Sequence, residues 1–259
     1  MKTTYKHTCC ILAAALWLLS ACTASRPEFD ITSRLIPVDA HWDQTPEPQM
    51  EAIVSKYKTS VDSVMRIVIG TSSQYMEPKR PGSLLTNLSA DIIKSEAPSV
   101  FGQPVDLAIT NIGGIRNPLM QGEITLGEIY SIFPFDNTLC LIKLKGSDLR
   151  DLFDIIASRG GEAVSHEVRM TIADDKAANL TIDGAPLDDN RIYSIATIDY
   201  VANGGDHMTP CLKATERKNS AAFLRDVVIN YIEKATQAKR AISALDEVRI
   251  TRLNLNNAI

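Results

Sequence analysis

Cysteine is scarce in this chain, with five among 259 residues. Two of them, Cys9 and Cys10, fall in the first ten residues, and beyond Cys22 only Cys140, inside an apolar run, and Cys211 remain. Two thiols so far apart build no disulfide framework and read as buried, idle side chains. Histidine is as rare. Past residue 21 there are only His41, His166 and His207, none in an HxH, DxH or GNH setting, whereas a divalent ion needs at least about four converging ligands. The chain also lacks a G-x-S-x-G elbow, a Walker loop and a G-x-G-x-x-G fingerprint, so neither a serine-hydrolase turn nor a pyrophosphate cradle is written into it. No basic stripe is present to neutralise a phosphate backbone, which argues against a nucleic-acid polymer as partner. Nor is there an apolar run long enough to cross a bilayer and stay: the longest, residues 11–19, is too short.

That short run has another reading. Lys2 and Lys6 precede it and Leu19-Ser20-Ala21-Cys22 ends it, the order of an export signal. The last four residues resemble a bacterial lipobox. The resemblance implies a signal peptide over 1–21, acyl chains on Cys22, a soft tether over 22–28, and a protein anchored by lipid to a membrane of the bacterial cell envelope on its periplasmic or surface face. Cleavage removes Lys2, Lys6 and no acid, leaving 238 residues with 25 basic against 31 acidic side chains, a net −6. This is ample material for a core, expected over 29–259 with no clear internal linker.

Apolar periodicity orders the rest. A weak strand is expected over 30–38, followed by a surface loop holding His41 and Asp43. A packed amphipathic helix is expected over 49–65, where Met50, Ile53, Val54, Tyr57, Val61 and Val64 recur at helical spacing. A strand over 66–70, a breaker-rich loop over 78–82 and a helix over 83–96 follow. Thr125-Leu126-Gly127-Glu128 is a capping-box pattern opening a short helix that Pro134 stops. Residues 138–144 read as an interior strand, and Ser147 as the cap of a helix that ends at Gly160-Gly161. Alternation in 168–172 and 180–182, with a turn at Asp183-Gly184 leading to 191–200, suggests an antiparallel meander. A helix over 220–236 and a strand containing Val248 and Ile250 close the chain.

Three stretches carry the chemistry. An apolar run over 105–110 delivers Asn111-Ile112-Gly113-Gly114-Ile115-Arg116, where adjacent glycines free the backbone for positive φ and close ligand approach. Phe133-Pro134-Phe135 follows the short helix. Tyr200-Val201-Ala202-Asn203-Gly204-Gly205-Asp206 follows the last strand of the meander. Phe135 and Tyr200 sit at element ends, where a ring can face a ligand, together with Asn111, Arg116 and Asp206. Two rings can sandwich a planar base, an amide can read its edge, and a carboxylate can take both hydroxyls of a ribose. The constellation describes a nucleoside.

These three stretches, in this order, resemble the C-terminal domain of the 5'-nucleotidase family, which includes UDP-sugar hydrolases and 2',3'-cyclic phosphodiesterases; the likeness runs over 83–206. It implies a layered α/β/β/α sandwich that recognises substrate. By resemblance Asn111 meets the base, Arg116 the ribose or phosphate, Phe135 and Tyr200 stack on the two faces of the base, and Asp206 holds the ribose hydroxyls, with Gly113 and Gly114 shaping the turn. Asn87 and Asp91 match the family's helix and are expected to be structural.

The chain departs from the family in three places. The family's enzymes carry a metallophosphoesterase domain, with two metal ions and a catalytic histidine, ahead of this one; the roughly 60 residues between Cys22 and Ser83 do not hold it. Where the family has an arginine at the helix start, this chain has Lys79-Arg80-Pro81-Gly82, and His207-Met208 stand where a glycine and an aromatic are common. The expectation is therefore a nucleotide-recognition chain with no catalytic residue, metal or cofactor of its own, though by resemblance it belongs to a hydrolase family. It would work in nucleotide catabolism with a separately encoded metallophosphoesterase that holds the metals. The alternatives are a lipid-anchored nucleoside- or nucleotide-binding protein without hydrolysis, and a degenerate structural module.

Overall fold

The computed structural model describes residues 30–45 and 47–253. The expected signal, Cys22 and the tether lie outside them. The chain divides into two units, Met1–Ile53 and Val54–Ile259. In the first, residues 30–38 are exposed and irregular, so the expected strand does not form: Ile31, Leu35 and Val38 face solvent, and alternation alone gives a strand nothing to pair with. A single 3-10 turn, Trp42–Gln44, follows, held by the Trp42 indole N–H donating to the Pro37 carbonyl at 2.7 Å. His41 and Asp43 stay in this surface turn.

Helix α1 (Pro48–Met65) is helical where the periodicity places it, but none of its residues is buried. The expected packing is thus corrected: Val54, Tyr57, Val61 and Val64 are each about half exposed. Spacing specifies a helix face and not a surface to cover it.

From there the second unit builds three sheets. Strand β1 (Val68–Ser72) pairs antiparallel with β3 (Gly122–Thr125). A five-stranded sheet joins β2 (Leu107–Thr110), β4 (Thr138–Lys145), β5 (Ala163–Val164), β9 (Ile192–Ile198) and β10 (Glu216–Phe223) in the order β10-β4-β9-β2-β5. A four-stranded sheet joins β6 (Val168–Ala173), β7 (Lys176–Ile182), β8 (Ala185–Pro186) and β11 (Ile250–Arg252) in the order β11-β6-β7-β8. The strands of the five-stranded centre are apolar on both sides because both are covered: Leu107, Ala108, Ile109, Leu139, Leu141 and Ile142 have no exposed surface. Helix α2 (Leu84–Phe101) packs on β2, β5 and α6 (Leu224–Gln237), burying Leu85, Leu88, Ile92 and Ile93. Helix α4 (Gly146–Ser158) lies on β7 and also touches β4, β6 and β9, burying Leu149, Leu152, Phe153 and Ile156. The mixed α/β class is the expected one. Cys140 and Cys211 are free and buried, and burial pushes the Cys211 thiol up to about 12.

Several boundaries shift for identifiable reasons. Helix α4 starts at Gly146 and not after a Ser147 cap, because its first amides bond to another loop, Gly146 N–H to the Arg191 carbonyl at 2.8 Å and Ser147 N–H to Asp189 at 3.0 Å. Close approach demands the glycine: a Cβ at 146 would stand 1.9 Å from the Asp188 carbonyl oxygen. The meander covers β6, β7 and β8 only. Strand β9 crosses to the other sheet, between β4 and β2, and leads into the short helix α5 (Asp199–Ala202). Residues 216–223, expected in part as helix, form edge strand β10, and α6 starts at Leu224. The capping box of α3 (Leu126–Ile132) forms as read, with Thr125 Oγ1 accepting from Glu128 N–H at 3.2 Å and Glu128 Oε2 accepting from Thr125 N–H at 2.8 Å.

Candidate functional site

Strand directions bring four separate loops to one edge of the five-stranded sheet. β2 and β9 run parallel, with Leu107 opposite Ile195, so their C-terminal ends emerge together, one leading to Asn111 and the other to Tyr200 and Asp206. β4 runs antiparallel to β9, with Leu139 opposite Ile198, which puts the start of β4, and Phe135 and Asn137 just before it, at that edge. β5 runs antiparallel to β2, with Thr110 opposite Ala163, so Arg159 to Glu162 arrive there as well. Ligands of open α/β sheets sit at such edges.

The loops enclose a cleft of about 380 Å³ lined by Asn111, Gly113, Gly114, Arg116, Phe135, Asn137, Tyr200 and Asp206. All seven sequence-expected site residues of the fold are among them. Phe135 and Tyr200 are 47% and 43% exposed, and both line the cleft, so part of each ring is open to a ligand there. The Arg116 guanidinium lies 6.0 Å from the centre of the Phe135 ring and donates to the Gly113 carbonyl at 3.2 Å.

The glycines act differently from the sequence expectation. Neither Gly113 nor Gly114 has positive φ. They are needed for proximity: a Cβ at 114 would stand 3.0 Å from Asn111 Oδ1, and one at 113 would stand 3.4 Å from Asn111 Nδ2. Positive φ belongs to the other motif, in Gly204 at 80° and in Asp206 itself at 56°. Gly205 gives way to the Tyr200 ring, two of whose carbons would come within 2.5 and 2.6 Å of a Cβ there.

A polar relay fixes the carboxylate. Asn111 Nδ2 donates to Asp206 Oδ2 at 2.8 Å, and Arg159 Nη2 pairs with Asp206 Oδ1 at 3.1 Å. Arg159 Nε donates in turn to Glu162 Oε1 at 2.9 Å, and Arg80 donates to the same oxygen. Glu162 is 1% exposed, and its second oxygen accepts the Ile112 N–H at 2.6 Å, tying the relay to the Asn111 turn. Partial burial works against the charge of Arg159, but the Glu162 bond and the charges of Glu162 and Asp206 outweigh it, and its pKa rises. Asn111 Oδ1 is buried without a partner, an acceptor left for an incoming donor.

Sequence reasoning missed Asn137, Arg159 and Glu162. Asn137 stands two residues after Phe135 in the same loop, which could have found it; the other two needed the β2–β5 pairing. Arg80 does not enter the cleft, being held by Glu162, and His207 is not among its lining residues. Asn87 and Asp91 are structural as expected: Asn87 Nδ2 donates to the Glu247 carbonyl at 3.1 Å, and Asp91 pairs with the buried Arg249 at 2.6 Å. Among the described residues no group of three or more His, Cys, Asp or Glu side chains converges as metal ligands would.

Comparison with known proteins identifies the family and the fold. Residues 68–214 match the sequence profile of the family described as 5'-nucleotidase, C-terminal domain. Protein UshA of Yersinia enterocolitica is 26% identical over 195 residues, covering 73% of this chain and 35% of that protein. NAD 5'-nucleotidase of Haemophilus influenzae is 25% identical over 192 residues, covering 62% of this chain and 31% of that protein. The crystal structure of a 5'-nucleotidase precursor from Thermus thermophilus superimposes with a TM-score of 0.69 at 24% identity, over 82% of this chain and 45% of that one, and shares the fold. The chain thus spans about a third of the length of these curated relatives. With the profile match covering more than half of its residues, the chain belongs to the 5'-nucleotidase C-terminal domain family.

Proposed function

We propose that this chain binds the nucleoside part of a nucleotide and presents it to a separately encoded metallophosphoesterase, in nucleotide catabolism at the bacterial cell envelope, with Cys22 as the lipidated tether. The observation that carries the reading is the pair of half-exposed rings, Phe135 and Tyr200, lining one cleft with a fixed carboxylate. The base stacks on the rings. Asn137, beside Phe135, reads its edge, and Asp206 accepts from the ribose hydroxyls, with the buried, unpartnered Oδ1 of Asn111 next to it. Asn111 therefore serves the sugar side more than the base, since its amide is committed to Asp206. Arg116, exposed at the rim, meets the phosphate.

The role assigned to these residues is recognition, and hydrolysis is assigned to the partner chain. Stacking contributes on the order of 1–3 kcal/mol per ring, so two rings and one charged contact support affinities between millimolar and micromolar after association costs. Titration calorimetry with adenosine should show saturable binding that Phe135→Ala weakens by about tenfold. Equal heats for both proteins would sink the site assignment. The partnership is tested separately: the chain mixed with an exported metallophosphoesterase encoded beside it should speed AMP hydrolysis over the metallophosphoesterase alone.

A further inference from the structure

Beside the nucleoside cleft, and sharing no lining residue with it, is a second hollow of about 270 Å³ formed by Arg80, Pro81, Ser158, Arg159, Gly160 and Arg252. Three guanidinium side chains from three distant parts of the chain line it. Gly160 lies between two of them: a Cβ there would sit 3.6 Å from Arg80 Cδ and 3.9 Å from Arg252 Nη2, and its φ of 85° disfavours any side chain at this point. The neighbouring Gly161 is held so close to Pro81, with a Cβ position 2.2 Å from the Pro81 carbonyl oxygen, that the two loops meet without side chains between them.

Like charges brought together in this way need compensation. One fully buried carboxylate, Glu162, serves both Arg80 and Arg159, and Asp206 shares Arg159 with the cleft. Among the described residues Arg252 pairs only with Asp175, at 3.4 Å, and both side chains are more than half exposed. Such a pair is worth little. Each guanidinium carries five N–H groups, and these contacts engage only part of them. The buried Glu162 also fixes the direction of Arg80 and Arg159, so donors are held in place before any ligand arrives. Planar forks converging on one small space match a tetrahedral oxyanion, which accepts bidentate bonds from several sides.

We propose that this hollow is an oxyanion site, for inorganic phosphate or the phosphate group of a small phosphorylated molecule, separate from the nucleoside cleft and divided from it by the Arg159–Asp206 ion pair. The inference stands on the arginine cluster and does not need the nucleoside reading to hold. Its chemistry is binding alone: the anion displaces Asp175 from Arg252 and takes the remaining donors of Arg80 and Arg159.

The test is titration of inorganic phosphate into the purified chain, with sodium chloride at matched ionic strength as the blank. Saturable binding at roughly millimolar concentration is expected. Arg252→Ala should weaken it by about tenfold and Arg252→Lys by less, while adenosine binding stays the same in both variants. Arg150→Ala, which removes a cation lining neither the hollow nor the cleft, should leave phosphate binding intact. Glycerol 3-phosphate and AMP separate the two sources: tighter binding than phosphate that also depends on Arg252 assigns the site to a phosphorylated molecule, and equal or weaker binding assigns it to free phosphate. Absence of saturation well above the millimolar range, or binding that Arg252→Ala leaves unchanged, or binding that Arg150→Ala abolishes, would overturn the proposal. Adenosine titration of the unaltered protein reports on the nucleoside cleft independently, so the two can fail separately.

Discussion

One residue that offers no group to a ligand, and does not line the cleft, sets the position of a ring that does. Gly205 allows the Tyr200 ring to lie where it does, and a methyl group there would come within 2.5 Å of the ring. Its φ is not positive, so the cost of alanine is steric: the same Cβ would stand 2.5 Å from the Tyr200 ring and 2.6 Å from the Tyr200 carbonyl oxygen, and both ring and backbone must give way. Gly205→Ala should therefore weaken adenosine binding by about tenfold, through displacement of one stacking face, and also lower Tm as the Tyr200 carbonyl is pushed aside. Gly204→Ala, at a φ of 80°, should lower stability by about 1 kcal/mol through strain, seen as a fall of about 2–4 °C in Tm. Titration and melting curves on the two variants would distinguish stacking from strain. Asn111, Arg116, Phe135, Tyr200 and Asp206 were legible because each is a polar or aromatic residue just beyond an apolar run, a pattern a single segment displays. Arg159 and Glu162 were not, because their meaning lies in a pairing between β2 and β5 that sequence periodicity does not encode.

Elements with apolar spacing were legible whether that spacing is covered, as in α2, or exposed, as in α1. Strands β2 and β4 and helices α2 and α4 lie under the core, and their apolar spacing announced them. Strand β10, an edge built from Glu216, Arg217, Lys218 and Asn219, shows no apolar alternation and was hidden until its pairing with β4 was seen. Strand β11 is short, and side chains just before it anchor it more than its ladder does. Arg249, 3% exposed, pairs with Asp91 at 2.6 Å and Glu247 at 2.7 Å and donates to the Val164 carbonyl at 2.7 Å. Arg249→Met leaves Asp91 without its cation and takes one of two guanidinium partners from Glu247, which keeps Arg169 at 2.6 Å. Removing one partner of a buried pair costs about 3–5 kcal/mol, so a Tm loss of about 6–20 °C is expected. The same cluster sets an acid limit. Burial raises the Glu247 carboxyl, but the His166 bond and the charges of Arg249 and Arg169 outweigh it and hold it below the ordinary 4.5. A carboxyl depressed in the folded state adds stability above its unfolded pKa and loses it as pH falls through the lower folded value. Tm should therefore fall below about pH 4.5, and that fall should be shallower in Glu247→Gln, a variant less stable at pH 7. Identical pH profiles for the two proteins would remove Glu247 from the account.

At the scale of the whole molecule, the charge distribution separates two kinds of ligand contact. The chain as a whole is acidic, at −4 over its full length, yet the sheet edge gathers Arg80, Arg116 and Arg159 within or beside the cleft. The relay consumes much of Arg80 and Arg159, whereas Arg116 is held by a single bond to its own turn and remains exposed. On the proposed reading its contact with a phosphate is a surface charge pair, worth up to about 1 kcal/mol and screened over about 8–10 Å at ordinary salt. Stacking and the ribose contact carry no such dependence. AMP should accordingly bind a few-fold more tightly than adenosine at low salt and about as tightly at 1 M salt, where the screening length is about 3 Å. Binding to the folded state alone also raises stability, by about 2.7 kcal/mol at a hundred times Kd, so the comparison is readable as a thermal shift of about 5–11 °C at saturating ligand. Arg116→Ala should erase the difference between AMP and adenosine at low salt and leave the adenosine shift in place. A difference that persists in this variant would move the phosphate contact from Arg116 to another arginine of the edge, and the Arg252→Ala variant would show whether it has moved into the neighbouring hollow.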